Sequence, residues 1–191
     1  LHALRAQLNP HFIFNALNTV SGLVRLNETA KATHAIAELS YMLRTVLEEN
    51  DKHLIPLIEE VTFIRRYLHF QTLRFSDRLK ISINIDKASE NIKVPFLLLH
   101  TLVENAVTHG SQFSSVNCID LNADFENDIL YIDLVNSTGA EKHNEGFGIG
   151  LINSHKRLQS LFKDNYLLES KVDEQNRYHT HIEIKAGYSN V

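Results

Sequence analysis

The chain has 191 residues, 43% of them hydrophobic and 22% charged, enough to bury a core in one large domain or two small ones. Its formal net charge of -4, with no basic run, excludes the electrostatic footprint of a nucleic-acid binder. The single cysteine, Cys118, makes no internal disulfide and no metal cluster, which fits a reducing compartment.

No stretch reaches the roughly 18 to 20 apolar residues that a membrane span requires. The sequence starts at Leu1 rather than Met, so it reads as a fragment whose membrane segment would lie upstream. The first 76 residues carry one Gly and two Pro, and their apolar positions recur at helical spacing. After Pro10, the residues Ile13, Ala16, Leu17, Val20, Leu23 and Val24 form one stripe. A second helix is predicted from about Lys31 to Glu48 through Ile36, Leu39, Leu43, Val46 and Leu47. Asn50, Asp51 and Lys52 read as a turn. Pro56 suits the first turn of a third helix through Val61, Ile64, Leu68 and Leu73.

The pattern changes near Ser76. Lys80 to Asp86 alternates Ile81, Ile83 and Ile85 with polar residues, as a half-buried strand does. Pro95 opens a helix through Leu98, Leu102 and Ala106, with Gly110 as its stop. Strands are expected near 116–125 and 129–135, a loop over 136–147, a helix from Ile149 to Phe162, and a hairpin of strands near 166–173 and 178–185 with Asn176 in its turn. The fold class is therefore α+β. A helical segment, residues 1–76, precedes an α/β sandwich, residues 77–191.

Three groups of residues carry chemistry. Pro10 lacks an amide donor, so the chain kinks or starts a fresh helix there, with Asn9 as cap. Projected at about 100° per residue, His11, Asn15, Asn18 and Gly22 fall opposite the apolar stripe. His11 should face outward, and a neutral imidazole can attack phosphorus near pH 7. The plain alternative is an exposed histidine without a task. Glu104, Asn105 and His109 share the helix that precedes Gly110. An amide oxygen suits Mg²⁺, a hard cation, although the same residues also read as an ordinary helix end. Gly146, Gly148 and Gly150 precede Leu151 at the start of another helix, where backbone amides can meet phosphate oxygens; a flexible hinge is the other reading.

In this order and spacing the three groups resemble the LytS/YehU-type sensor histidine kinases over nearly the whole chain. Gln7 to Asn18 resembles that family's phosphoacceptor box. Leu73 to Leu79 resembles the link into the catalytic domain, and Leu102 to Ala106 with His109 and Gly110 the N box. Gly146 to Leu151, Asn153, Arg157 and Leu158 resemble the second glycine box. The resemblance implies a helical dimerisation and phosphotransfer segment followed by a GHKL-type ATP-binding sandwich. It implies ATP and Mg²⁺ as cofactors and autophosphorylation on His11; Asn15, placed one turn from His11, would orient the imidazole. Glu104 would serve as an acid or base. Asn105 would hold Mg²⁺, His109 would lie near the phosphates, and Gly146, Gly148, Gly150 and Leu151 would shape the phosphate pocket. It further implies a homodimer through the helical segment, a response regulator of the LytTR type as next phosphate acceptor, and a cytoplasmic domain of a membrane sensor.

The sequence departs from that pattern at three places. Asn136-Ser137-Thr138-Gly139-Ala140 stands where many relatives carry Asp-x-Gly-x-Gly, so Asn136 and Gly139 would serve the adenine without charge assistance. That difference is worth about 1 kcal/mol. Thr101 replaces an Asn or acid one turn before Asn105. No carboxylate follows His11 directly. Two other readings stay open: a non-catalytic dimeric or nucleotide-binding module, and an ATPase that uses hydrolysis to close a dimer. His179 and His181 alternate on a strand and read as surface residues. Lys31, His34 and Glu38 read as a solvated helix face, and Tyr41, Phe63, Tyr67 and Phe70 as bundle packing.

Overall fold

The computed structural model describes residues 10–48, 52–113, 115–138 and 147–187, and only the backbone of 10–12, 76, 111–113 and 147–149. The chain divides into two compact units. One comprises residues up to Lys52 together with Arg65–Ser76; the other comprises His53–Ile64 and the chain from Asp77 onward.

The first unit contains α1 (Pro10–Arg25), α2 (Thr29–Glu48) and the second half of α3 (Leu57–Phe75). Asn27 ends α1 in the left-handed region, at φ 57°. The amide of Glu28 reaches Leu23 O at 2.9 Å and that of Asn27 reaches Val24 O at 3.0 Å, a Schellman-type stop that turns the chain into α2. The apolar stripe of α1 is split. Ala16 and Leu23 are buried, whereas Leu17 and Val24 are 55% and 58% exposed. Contact with α2 covers only one flank of a wide stripe.

On α2 the buried row is Ala32, Ala35, Leu39, Met42 and Val46, while Ile36 and Leu47 lie in the open. Glu38 departs from the solvated face expected of it. It is 7% exposed, and Arg66 on α3 donates to its Oε2 at 3.2 Å. The same guanidinium lies over the Tyr41 ring, 4.0 Å from its centroid. Tyr67 and Phe70 are buried as bundle packing requires.

In the second unit, β1 (Leu54–Pro56) pairs antiparallel with β3 (Lys93–Pro95), so Pro56 ends a short strand instead of sitting in the first turn of a helix. An edge strand tolerates a residue without an amide donor. The main sheet is mixed and five-stranded, in the order β2-β4-β5-β7-β6. Its strands are β2 (Leu79–Ile85), β4 (Asn117–Glu126), β5 (Ile129–Ser137), β6 (Tyr166–Val172) and β7 (Arg177–Lys185). β2 runs parallel to β4; every other pairing is antiparallel. Asn127 and Asp128, at φ 52° and 63°, form the two-residue turn between β4 and β5, and Asn176, at φ 56°, turns β6 into β7 as expected.

Burial alternates along the central strands. Ile119, Leu121 and Ala123, with Leu130, Ile132 and Leu134, and Ile182 with Ile184, form the inner face. The helices α4 (Leu98–Phe113) and α5 (Phe147–Phe162) pack on the sheet and on each other. The helix α4 does not stop at Gly110. It continues to Phe113, and Gly110 is buried inside it. A Cβ at Gly110 would overlap the side chain of Asn117, which is itself fully buried and donates to Ala106 O at 2.9 Å. This glycine serves close approach rather than termination. Among the described residues, no helix is long and apolar enough to cross a membrane.

Candidate functional site

The site is organised around the N-terminus of α4. Glu60, on the first half of α3, is fully buried and places its carboxylate there. The amide of Leu97 donates to Oε2 at 2.9 Å and the amide of His100 to Oε1 at 3.1 Å. Carboxyl oxygens against the positive end of a helix satisfy amides that have no partner within the helix. Leu97 sits at φ 60°, a conformation that favours glycine, and the bond to Glu60 holds its amide. Arg157 on α5 donates to Phe96 O. Burial pushes the Glu60 carboxyl up to about 7, although the amides of His100, Leu97 and Leu99 and the nearby Arg157 pull it down. Next to it, His100 lies edge-on to Phe63 at 5.1 Å between centroids, and burial lowers its pKa to about 4.

One turn along α4, Thr101 turns its hydroxyl back to Leu97 O at 2.9 Å. Glu104 and Asn105 are half-buried, and desolvation raises the Glu104 pKa above the usual carboxylate range. A Cβ at Gly150 would overlap Nδ2 of Asn105. The first turn of α5 and the Asn105 turn of α4 therefore approach closely, with the Asn105 amide in the space that a side chain at residue 150 would take. Two motifs far apart in sequence come together at the N-terminus of a 16-residue helix, where unpaired amides favour an anion. His109, a turn beyond Asn105, is half-buried, and desolvation lowers its pKa. Leu151 is half-buried beside Gly150.

Asn136 lies near the end of β5, 2% exposed, and donates Nδ2 to Ser137 O at 2.8 Å. That bond leaves Oδ1 as its acceptor. Gly139 and Gly146 lie outside the described residues; Gly148 lies in the first turn of α5, described by its backbone only. His11 is in the first turn of α1, and the expectation that its ring points outward lies outside the described side chains. Further along that face Asn15 is half-buried, Asn18 is exposed, and a Cβ at Gly22 would meet nothing within 4 Å.

The strand histidines are paired rather than idle. His181 Nδ1 lies 2.7 Å from Asp133 Oδ1 and its Nε2 lies 3.2 Å from Glu183 Oε1. Desolvation opposes the charged ring there, but the two carboxylates outweigh it and raise the pKa. His179 Nε2 lies 2.8 Å from Asp173 Oδ2. Sequence reasoning missed Glu60, because a glutamate within a helical run carries no mark of the helix it will cap.

Residues 1–79 match the family model described as Histidine kinase. The sensor histidine kinase/phosphatase LytS of Staphylococcus aureus strain MRSA252 is 41% identical over 110 residues. The chain is similar to LytS-type sensor histidine kinases. That match covers 58% of the chain but 19% of the relative, so the LytS-like chain spans about a fifth of its length. Among solved structures, histidine kinase AdeS of Acinetobacter baumannii is 13% identical, with 97% of this chain and 98% of that one covered and a TM-score of 0.54. The catalytic domain of histidine kinase ThkA is 12% identical over 70% of this chain and 95% of that one, with a TM-score of 0.51. At these identities the likeness shows the fold. It is α+β, with N-terminal helices followed by a mixed sheet like that of histidine kinase catalytic (GHKL-type) domains.

Proposed function

We propose that this LytS-like chain is an ATP-dependent protein-histidine kinase core that phosphorylates its own His11 and passes the phosphoryl group to a response regulator. The observation that carries the reading is the Gly150–Asn105 approach, which joins the two sequence motifs at a helix N-terminus suited to phosphate. Asn136 and Gly139 would serve the adenine; the amides around Gly146, Gly148, Gly150 and Leu151 would serve the phosphates. The Asn105 amide oxygen is a hard, neutral donor that fits Mg²⁺, which neutralises charge on the phosphate oxygens when bound with the nucleotide. Burial lowers the His109 pKa and so favours the neutral ring, which would donate to a phosphate oxygen without adding a fixed charge.

Phosphoryl transfer is mostly positioning and charge neutralisation. A ring nitrogen of His11 forms a bond to the γ-phosphorus as the bond to the ADP oxygen breaks, and ADP leaves. Asn15 would orient the ring. Glu104, whose carboxyl holds its proton more tightly than usual, would be the acid–base group from α4. Incubation with γ-labelled Mg-ATP should give an acid-labile, alkali-stable phosphoprotein, and His11→Gln should abolish the label. Retained label on that variant would overturn the proposal. Calorimetry with Mg-ATP separates a kinase from a scaffold, because a scaffold binds no nucleotide even at millimolar concentration.

The uncovered flank of α1 supports a homodimer through the helical segment. Phe14, Leu17 and Val24 recur at i, i+3 and i+10, each more than half exposed. Burying one leucine stabilises by about 1.5 to 3 kcal/mol. Leu17→Glu should therefore weaken association at least about tenfold, read as a dimer-to-monomer shift in sedimentation velocity. The phosphate acceptor downstream would be of the LytTR type, and the chain would be the cytoplasmic part of a membrane sensor.

A further inference from the structure

The helical unit contains a cluster that phosphotransfer does not use. His34 and Glu38 lie four residues apart on α2, one turn of helix, and so share a face. His69 comes from α3 within the same unit. His34 Nε2 lies 3.1 Å from His69 Nδ1 and 3.6 Å from Glu38 Oε1. One donor atom from each of the three residues lies within 4.8 Å of the others. The two rings meet edge-on at 67°, with centroids 4.8 Å apart.

We propose that His34, Glu38 and His69 form a binding site for a divalent transition-metal ion of the zinc class, bridging α2 and α3. Ligands at about 2.0 to 2.1 Å from a tetrahedral centre are about 3.3 Å from one another, close to the two separations seen here. Two imidazole nitrogens with one carboxylate oxygen suit zinc, cobalt or nickel and do not suit the oxygen-seeking Mg²⁺ or Ca²⁺. Glu38 is the anchor. Its side chain is buried, and Arg66 holds Oε2, which leaves Oε1 facing the two rings. A hydrogen bond to the second oxygen of a ligating carboxylate is the usual outer support of such sites. Both rings are exposed, so an ion has an entry path and a fourth position open to water. The positive charge of Arg66 opposes a cation and sets the expected affinity at about micromolar rather than tighter.

The same contacts suit a second explanation, a histidine pair joined by a hydrogen bond with an ion pair beside it, and titration distinguishes the two. The full chain is titrated with Zn²⁺ by calorimetry in a buffer that does not chelate, and with Co²⁺ by visible absorption for tetrahedral geometry. One equivalent per chain is expected. His34→Gln and His69→Gln should each weaken binding at least about tenfold, with helical content by circular dichroism unchanged. Zn²⁺ should raise the melting temperature of the unaltered chain and not that of His34→Gln. A control double variant, His179→Gln with His181→Gln, should bind as the unaltered chain does. No binding at micromolar Zn²⁺ would overturn the proposal, as would affinity unchanged in His34→Gln and His69→Gln, or a loss that follows the strand histidines instead.

Discussion

Residue 150 has no side chain because Asn105 occupies the space where one would go. The clash in a Gly150→Ala variant falls on the end of a movable amide, so folding should survive, and the melting free energy should change by less than about 1 kcal/mol. The Asn105 amide would be pushed off its position. Nucleotide affinity in the presence of Mg²⁺ should fall about tenfold, measured with a fluorescent ATP analogue. Equal affinity in the variant would remove Asn105 from the metal position proposed for it. Asn136 shows the same economy of space. It is buried and already donates to Ser137 O, so an aspartate there would lose a donor and bury a charge. The neutral Asn136, where the resemblance would place an acid, is consistent with its surroundings.

At the scale of elements, α4 is held at both ends by side chains from elsewhere in the second unit. Glu60 caps its start, and Asn117 lies against its last turns at Gly110. Helix propensity alone says that Gly→Ala inside a helix gains about 1 kcal/mol. Here the new methyl overlaps a buried amide whose bond to Ala106 O cannot be given up freely. Gly110→Ala should instead destabilise by about 1 to 3 kcal/mol in urea unfolding. A stabilised variant would mean that Asn117 has room to turn away.

For the molecule as a whole, the buried carboxyl of Glu60 makes stability depend on pH. Its folded pKa, about 7, lies above the ordinary 4.5, so the folded state binds a proton that the unfolded state releases. The associated stability is present below about pH 4.5 and is lost as pH rises through about 7. Integrated over that window the loss is about 3 kcal/mol. His181, also raised, acts in the same direction; His100, lowered to about 4, acts in the opposite one, losing stability as pH falls below 6.5. Glu60→Gln isolates the carboxyl. Unfolding free energy between about pH 5 and about pH 8 should fall more steeply in the unaltered chain than in this variant. Parallel curves would contradict a raised pKa at Glu60.

Local pattern was enough to read the helices of the first unit, the strands and turn of the β6–β7 hairpin, and the order of helix and strand in the second. Spacing at 3.6 and at 2 residues is written along the chain, and each period serves one kind of element. The residues around Asn105 and Gly150 stand out in the sequence, since glycine and amide residues at fixed spacing are local features, but their approach to each other is a property of the fold. Other features depended on pairing between distant segments. Pro56 is in a strand because Lys93 lies opposite it. Gly110 stays inside its helix because Asn117 lies against it. Glu38 is buried because Arg66 and His69 arrive from another helix, and Glu60 is buried because the start of α4 closes over it. A residue's own sequence neighbours set its preferred backbone, but burial and partnership depend on what the rest of the chain brings to it.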